Sequence, residues 1–232
     1  MSSGDIMTLV VFDLGETLVS YDGIPLNWSE HYIDAINDFL VKNSICVTTP
    51  DLELAVSILD FYNTRTHQRT FEVAEGEVTR KIATVLGVDG AAFGHSFFAY
   101  FQRRAVVEAS AVTTLTELKN AGVFTAVLSD VPYGMPRDFL MDDLGPLVPL
   151  MDRVVSSCEV GVRKPHPLGL INLMKAFGAN PAHVFYVGNE EKDMACAANA
   201  GARSILLAPG ETADYGQTYS VQTLSGVLRH VL

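Results

Sequence analysis

The sequence predicts an α/β protein: a Rossmann-like parallel core sheet of five strands flanked by helices, with an all-helical segment inserted after the first strand. Three observations predict it. From about residue 110 onward, a helical run ending in glycine and followed by an apolar strand recurs three times, which is the pattern of parallel βα units. An apolar strand, "TLVVFD", stands near the start of the chain and ends on Asp13. Between residue 19 and about residue 110 the apolar residues follow helical spacing instead.

Taken in order, the first strand is a short apolar run, as expected of a parallel strand covered on both faces. The insert opens with "SEHYIDAINDFL", which places Ile33, Ile36 and Leu40 on one helical face. In "TPDLELAVSILDFY", Thr49 is the expected N-cap and Pro50 the first helical residue. "VTRKIATVLG" stops at Gly87, "FGHSFFAYFQRRAVV" continues the helical pattern, and no strand is expected among them. Beyond the insert, "LTELKNAG" leads to "VFTAVLSD", "LGLINLMKAFGANPAH" to "VFYVGN", and "MACAANAG" to "ARSILLA", with a weaker strand in "RVVSS" from Arg153. Gly122, Gly178 and Gly201 stand where helix ends favour the left-handed conformation. Residues 1–18 and 111–232 are therefore assigned to the core and 19–110 to a helical cap, a segment of small-domain size.

Composition narrows the function. A chain of 232 residues, 48% apolar, buries a substantial core, and a net charge of -11 argues against a nucleic-acid partner. An anionic substrate would need positive charge supplied locally, by a metal ion or a placed Lys or Arg. Cys46, Cys158 and Cys196 form neither a disulfide framework nor a zinc motif, so reduced thiols and a cytoplasmic setting are expected. The first residues lack a basic leader, and Asp13 breaks the apolar run far short of a membrane span, so no membrane partner is expected. The expected state is a monomer or homodimer.

In an open parallel sheet, ligands bind beyond the carboxyl ends of the strands. There the sequence delivers Asp13, then Ser129 and Asp130, then Arg163 and Lys164 in "EVGVRKPHP", then Gly188 and Asn189 with Glu190, Glu191 and Asp193 behind. Carboxylates, a hydroxyl, an amide and a lysine facing one crevice suit a hard cation and a phosphate.

The ordered set "FDLGETL", "VLSD", "GVRKPHP" and "YVGNEEKD" resembles the four motifs of the haloacid dehalogenase superfamily of hydrolases, with a helical cap after the first. The resemblance implies that Asp13 is the nucleophile, that Ser129, with the Asp130 amide, binds the phosphoryl group, and that Lys164 steadies nucleophile and phosphate. It implies Mg2+ held by Asp13, the Gly15 carbonyl, Asn189 and Asp193, with Glu190 a further oxygen donor. The implied activity is a magnesium-dependent phosphatase of a small phosphorylated metabolite, acting through an aspartyl-phosphate.

Two positions depart from the family pattern. Gly15 stands where phosphatases usually carry a second aspartate, the acid that protonates the leaving group; a general acid is worth about 10²–10⁴-fold in rate. An activated phosphate substrate, Glu16 or a cap residue could answer that loss. Asn189 replaces the usual aspartate of the fourth motif and weakens the magnesium site by one charge. A 2-haloacid dehalogenase, which also lacks the second acid and needs no metal, and a non-catalytic phosphometabolite- or protein-binding member are the alternatives. In the cap, "YNTRTHQRTFEV" reads first as an exposed polar helix face, with Arg65 as its candidate for substrate contact. Glu191 and Lys192 read as a solvated helix start and Trp28 as core packing.

Overall fold

The computed structural model describes residues 7–210 and 213–232; residues 1–6, read above for a leader, lie outside these. Its main sheet has six parallel strands in the order β5-β4-β1-β6-β7-β8: β1 (Leu9–Phe12), β4 (Phe124–Ser129), β5 (Arg153–Ser156), β6 (Val184–Gly188), β7 (Arg203–Leu207) and β8 (Tyr219–Val221). The five expected strands are all present. The sixth, β8, is a three-residue edge strand too short to carry a periodic signal. β1 lies at the centre, with Leu9 paired to Phe124 on one side and to Val184 on the other, and all four of its residues are fully buried. That burial on both faces accounts for its unbroken apolar sequence.

The insert is not purely helical. Val19–Tyr21 (β2) and Ala105–Val107 (β3) pair antiparallel and close its two ends with a small hairpin, against the expectation of no strand there. Each has three residues, and its partner lies across the whole insert, so neither announces itself locally. Between them run α1 (Tyr32–Lys42), α2 (Thr49–Tyr62), α3 (Glu77–Leu86) and α4 (Gly90–Gln102), with α3 packed on α2 and α4, and α1 on α4. The buried face of α1 is Tyr32, Ala35, Ile36, Phe39 and Leu40, while Ile33 is half exposed. The cap of α2 is Thr48, whose hydroxyl accepts from Asp51 N, one residue before the expected Thr49.

The segment after α2 is stitched to the core by backbone hydrogen bonds: Arg163 N to Thr70 O (2.8 Å), Glu72 N to Gly161 O (3.0 Å) and Gly76 N to Gly134 O (2.8 Å). Gly134 must be glycine here, because its φ is +70° and a Cβ would collide with the Ala74 carbonyl. Buried beneath this seam, the Glu72 carboxylate accepts from Arg163, from Ser157 Oγ (2.6 Å) and from Val73 N (2.8 Å).

The remaining helices cover the sheet: α5 (Ala111–Asn120), α6 (Arg137–Leu144), α7 (Ser157–Val160), α8 (Leu168–Phe177), α9 (Glu191–Ala200) and α10 (Leu228–Val231). Gly178 and Gly201 close α8 and α9 at φ of 65° and 73°, as expected. Gly122, just past α5, is left-handed too. The three cysteines are free. No single described helix is long and apolar enough to cross a membrane.

Candidate active site

Asp13 follows β1 directly and is anchored by its own amide, which donates to Val187 O of β6 (2.8 Å). The turn behind it is wound on Leu14, whose carbonyl accepts from Thr17, Leu18 and Val19, while Glu16 N donates to Val19 O. Glu16 adopts φ 54°. These bonds leave the Gly15 carbonyl outside the turn's own ladder.

Lys164, on the loop after α7, is buried at 5% exposure and reaches three oxygens: Asp13 Oδ1 (2.6 Å), Asp193 Oδ1 (2.7 Å) and Tyr186 Oη (2.9 Å). Tyr186 in turn donates to Leu128 O (2.8 Å), so its hydroxyl is a fixed acceptor for the ammonium. One cation shared by two buried carboxylates leaves the cluster short of positive charge. Burial is the largest influence on Asp13 and raises its carboxyl, Lys164 opposes this, and the outcome is about 6. For Lys164, burial favours the neutral form, but the two carboxylates overcome it and hold the ammonium charged well beyond the usual range.

Ser129 ends β4, is buried, and lines the same cavity of about 110 Å³ as Asp13; it caps no helix. The carboxylate of Asp130 accepts from Lys164 N (3.1 Å), with Lys192 Nζ 3.8 Å away, so it braces the lysine loop. Arg65 lies on a loop, not the polar helix face expected of its segment, and forks across to the Glu190 carboxylate (3.2 Å from Nη2, with a shorter second contact from Nη1). Lys192 Nζ holds the other side of Glu190 at 2.8 Å. Burial alone would raise Glu190, yet the hydrogen bonds and charges of Arg65 and Lys192 outweigh it and hold the carboxyl at about 2.

The expected metal donors therefore separate into two groups. Asp193 has Oδ1 on Lys164 and Oδ2 on Glu190 N (3.0 Å), and Glu190 is taken by Arg65 and Lys192, so the structure engages both elsewhere. Asp13 uses only Oδ1 among the described hydrogen bonds, the Gly15 carbonyl is outside the turn's ladder, and Asn189 Oδ1 is buried with no hydrogen-bond partner. A buried acceptor without a partner costs about 1–3 kcal/mol. These three oxygens suit a hard cation. Among the described residues, no three His, Cys, Asp or Glu side chains converge as a metal cluster, so carbonyl and amide oxygens would have to supply much of any such site.

Sequence reasoning passed over several participants. Tyr186 carried a usable signal, since a tyrosine inside a fully buried strand must find a partner for its hydroxyl. Lys192 is no solvated helix start but pairs with Glu190 on the cavity wall. Trp28 does both jobs, stacking on Phe101 at 3.8 Å while lining the cavity beside Ile24 and Tyr133. Tyr21 lines it too and donates to Asp143 of α6.

A carboxylate at the tip of the central parallel strand, held by a buried lysine beside a small cavity, is the arrangement of an α/β hydrolase site. The chain belongs to the haloacid dehalogenase-like hydrolases, whose family profile matches residues 7–201. Among solved structures it resembles a 2-haloacid dehalogenase from Pseudomonas syringae pv. Tomato DC3000, at 20% identity and TM-score 0.69, covering 97% of each chain. It also resembles a HAD phosphatase from Thermococcus onnurineus, at 15% identity and TM-score 0.68, covering 97% of this chain and 98% of that one. No curated protein matches it by sequence. Likenesses of this depth establish the shared fold and leave the bond that is broken to be argued from the site.

Proposed function

We propose that this hydrolase is a magnesium-dependent phosphatase of a small phosphorylated metabolite, working through an aspartyl-phosphate on Asp13. The observation that carries the reading is the set of unspent oxygens on Asp13, Gly15 and Asn189 at the tips of neighbouring strands β1 and β6, above all the orphaned buried Asn189 Oδ1. A dehalogenase site needs no such donors. Magnesium bound by these three groups would supply the positive charge that a carboxylate needs to approach an anionic phosphate. Lys164 aligns the Asp13 carboxylate through Oδ1, the oxygen that would attack once Oδ2 is given to the metal. Ser129 donates its hydroxyl to a phosphoryl oxygen, and the 19–110 segment serves as a cap that excludes water. Arg65, on that cap, would exchange Glu190 for the substrate's anionic group.

The test is phosphate release from a metabolite panel, with and without magnesium, on wild type and Asp13→Asn. Magnesium-dependent release that disappears in Asp13→Asn supports the reading. Halide release from 2-haloacids that survives a chelator refutes it in favour of the second reading, a dehalogenase. That reading is favoured by the apolar cavity wall of Ile24, Leu26, Trp28 and Met135 and by the missing acid at Gly15.

A further inference from the structure

Gly15 leaves the leaving group of a phosphate ester without the acid that usually serves it, and the cavity offers another source. Beyond the Gly15↔Val19 bridge the chain enters β2, and this brings the Tyr21 side chain onto the cavity that Asp13 and Gly15 also line. Burial and the Asp143 carboxylate keep the Tyr21 hydroxyl protonated well beyond its usual range, with smaller contributions from the charges of Asp13 and Glu16. That hydroxyl is hydrogen-bonded to Asp143 Oδ2 at 2.5 Å, across the boundary between the insert's hairpin and α6 of the core.

Asp143 is an unusual place for a negative charge. The described residues bury three aspartates; Asp13 and Asp193 share Lys164, whereas Asp143, at 4% exposure, has no cation within ion-pair range. Its second oxygen, Oδ1, is buried without a hydrogen-bond partner. A carboxylate so placed is poorly solvated, and a neutral carboxyl suits the site better. Burial accordingly pushes it up to about 6, against the hydrogen bond from Tyr21 that favours the ionised form. Nothing in the packing of α6 calls for an acid there, since its other buried neighbours Phe139, Leu140 and Leu144 are apolar.

We propose that Tyr21 and Asp143 form a proton relay to the leaving-group oxygen, replacing the acid that Gly15 lacks. The inference rests on the phosphatase reading. As Asp13 Oδ1 bonds to phosphorus and the bond from phosphorus to the leaving oxygen breaks, the Tyr21 proton passes to that oxygen. The Asp143 carboxyl proton moves to Tyr21 Oη, leaving Asp143 ionised. When water then attacks the phosphorus of the aspartyl-phosphate, its proton returns through Tyr21 to Asp143; phosphate departs and Asp13 is restored. Tyr21 is the catalytic residue of the pair and Asp143, which acts through it, a positioning and proton-storing one.

The relay is tested with a series of aryl phosphates, from dinitrophenyl to phenyl phosphate, in the presence of magnesium, on wild type, Tyr21→Phe, Asp143→Asn, Glu16→Gln and Asp13→Asn. Protonated leaving groups make the wild-type rate nearly independent of the phenol's acidity. Tyr21→Phe and Asp143→Asn should steepen that dependence, with a loss of about 10²–10⁴-fold on phenyl phosphate and under about tenfold on dinitrophenyl phosphate. Gly15→Asp should restore phenyl phosphate hydrolysis in the Tyr21→Phe background by at least about tenfold, because a Cβ at residue 15 meets nothing within 4 Å. A merely structural hydrogen bond predicts equal losses across the series and no rescue; that result overturns the relay and leaves the phosphatase reading standing. So does a wild-type rate already steep in leaving-group acidity, or a steepening confined to Glu16→Gln. Hydrolysis indifferent to Asp13→Asn, or absent in wild type, overturns the phosphatase reading and the relay with it.

Discussion

Asp143→Asn should stabilise the fold relative to wild type as the pH rises. In the folded chain the carboxyl titrates at about 6, against 3.8 for an unperturbed aspartate. The folded state therefore binds more protons than the unfolded one between those values, and stability is greatest below them and lost as pH rises through 6. The full linkage is about 3 kcal/mol, from roughly two pKa steps at about 1.4 kcal/mol each, and about 2 kcal/mol of it falls between about pH 4.5 and about pH 7.5. Asparagine has no such linkage. Any packing or hydrogen-bond cost of its amide is the same at both pH values and drops out of the comparison. Thermal or urea unfolding of both proteins at the two pH values should show the variant gaining about 2 kcal/mol on wild type at the higher pH, or roughly 4–8 °C in Tm for a chain of this size. A stability difference that does not change with pH would refute the claim that this buried carboxyl holds its proton.

Lys164→Met should cost about 3–5 kcal/mol, because it leaves the Asp13 and Asp193 carboxylates buried without their shared cation; urea unfolding reads this, and a loss under about 1 kcal/mol would contradict the buried cluster. Arg65→Ala should raise KM for an anionic substrate severalfold while moving stability by no more than about 1 kcal/mol, since its ion pair with Glu190 is partly exposed; steady-state kinetics beside a melting curve separates the two effects. Gly188→Ala should destabilise by about 1–3 kcal/mol and depress activity, because its Cβ would fall 2.6 Å from Asp193 Cβ and push that carboxylate off Lys164; unchanged activity would argue against Asp193 as a support for the lysine.

Much of this was written along the chain. Each of the five longer strands is a compact apolar run with a glycine-closed helix or a loop before it, and the residues at their carboxyl ends build the site: Asp13 and Ser129 line the cavity, Lys164 reaches Asp13, and Asn189 follows the neighbouring strand β6. What escaped were features set by distant partners. β2 and β3 are three residues each and exist only because they meet across the insert. Lys192 and Glu190 look like surface charges until Arg65 arrives from the other side. The same holds for Asp143, one of two adjacent aspartates in "MDDLG", where only the packing of α6 decides which is buried. Asp193 was read as a metal donor because its type and position allow it; the structure commits both oxygens to Lys164 and to the start of α9.

The central place of β1 also sets an order of events during synthesis. Its apolar residues are synthesised well before their partners, since Phe124 follows only after the insert and Val184 after most of the core. The helices α1–α4 lie close together in sequence and can collapse on one another at once, whereas the strand that carries Asp13 must wait, unpaired, for β4 and then β6. A nascent chain stalled before β4 should accordingly be a helical, chaperone-dependent species with no active site, and one stalled after β6 should be the first to bind Asp13 to Lys164.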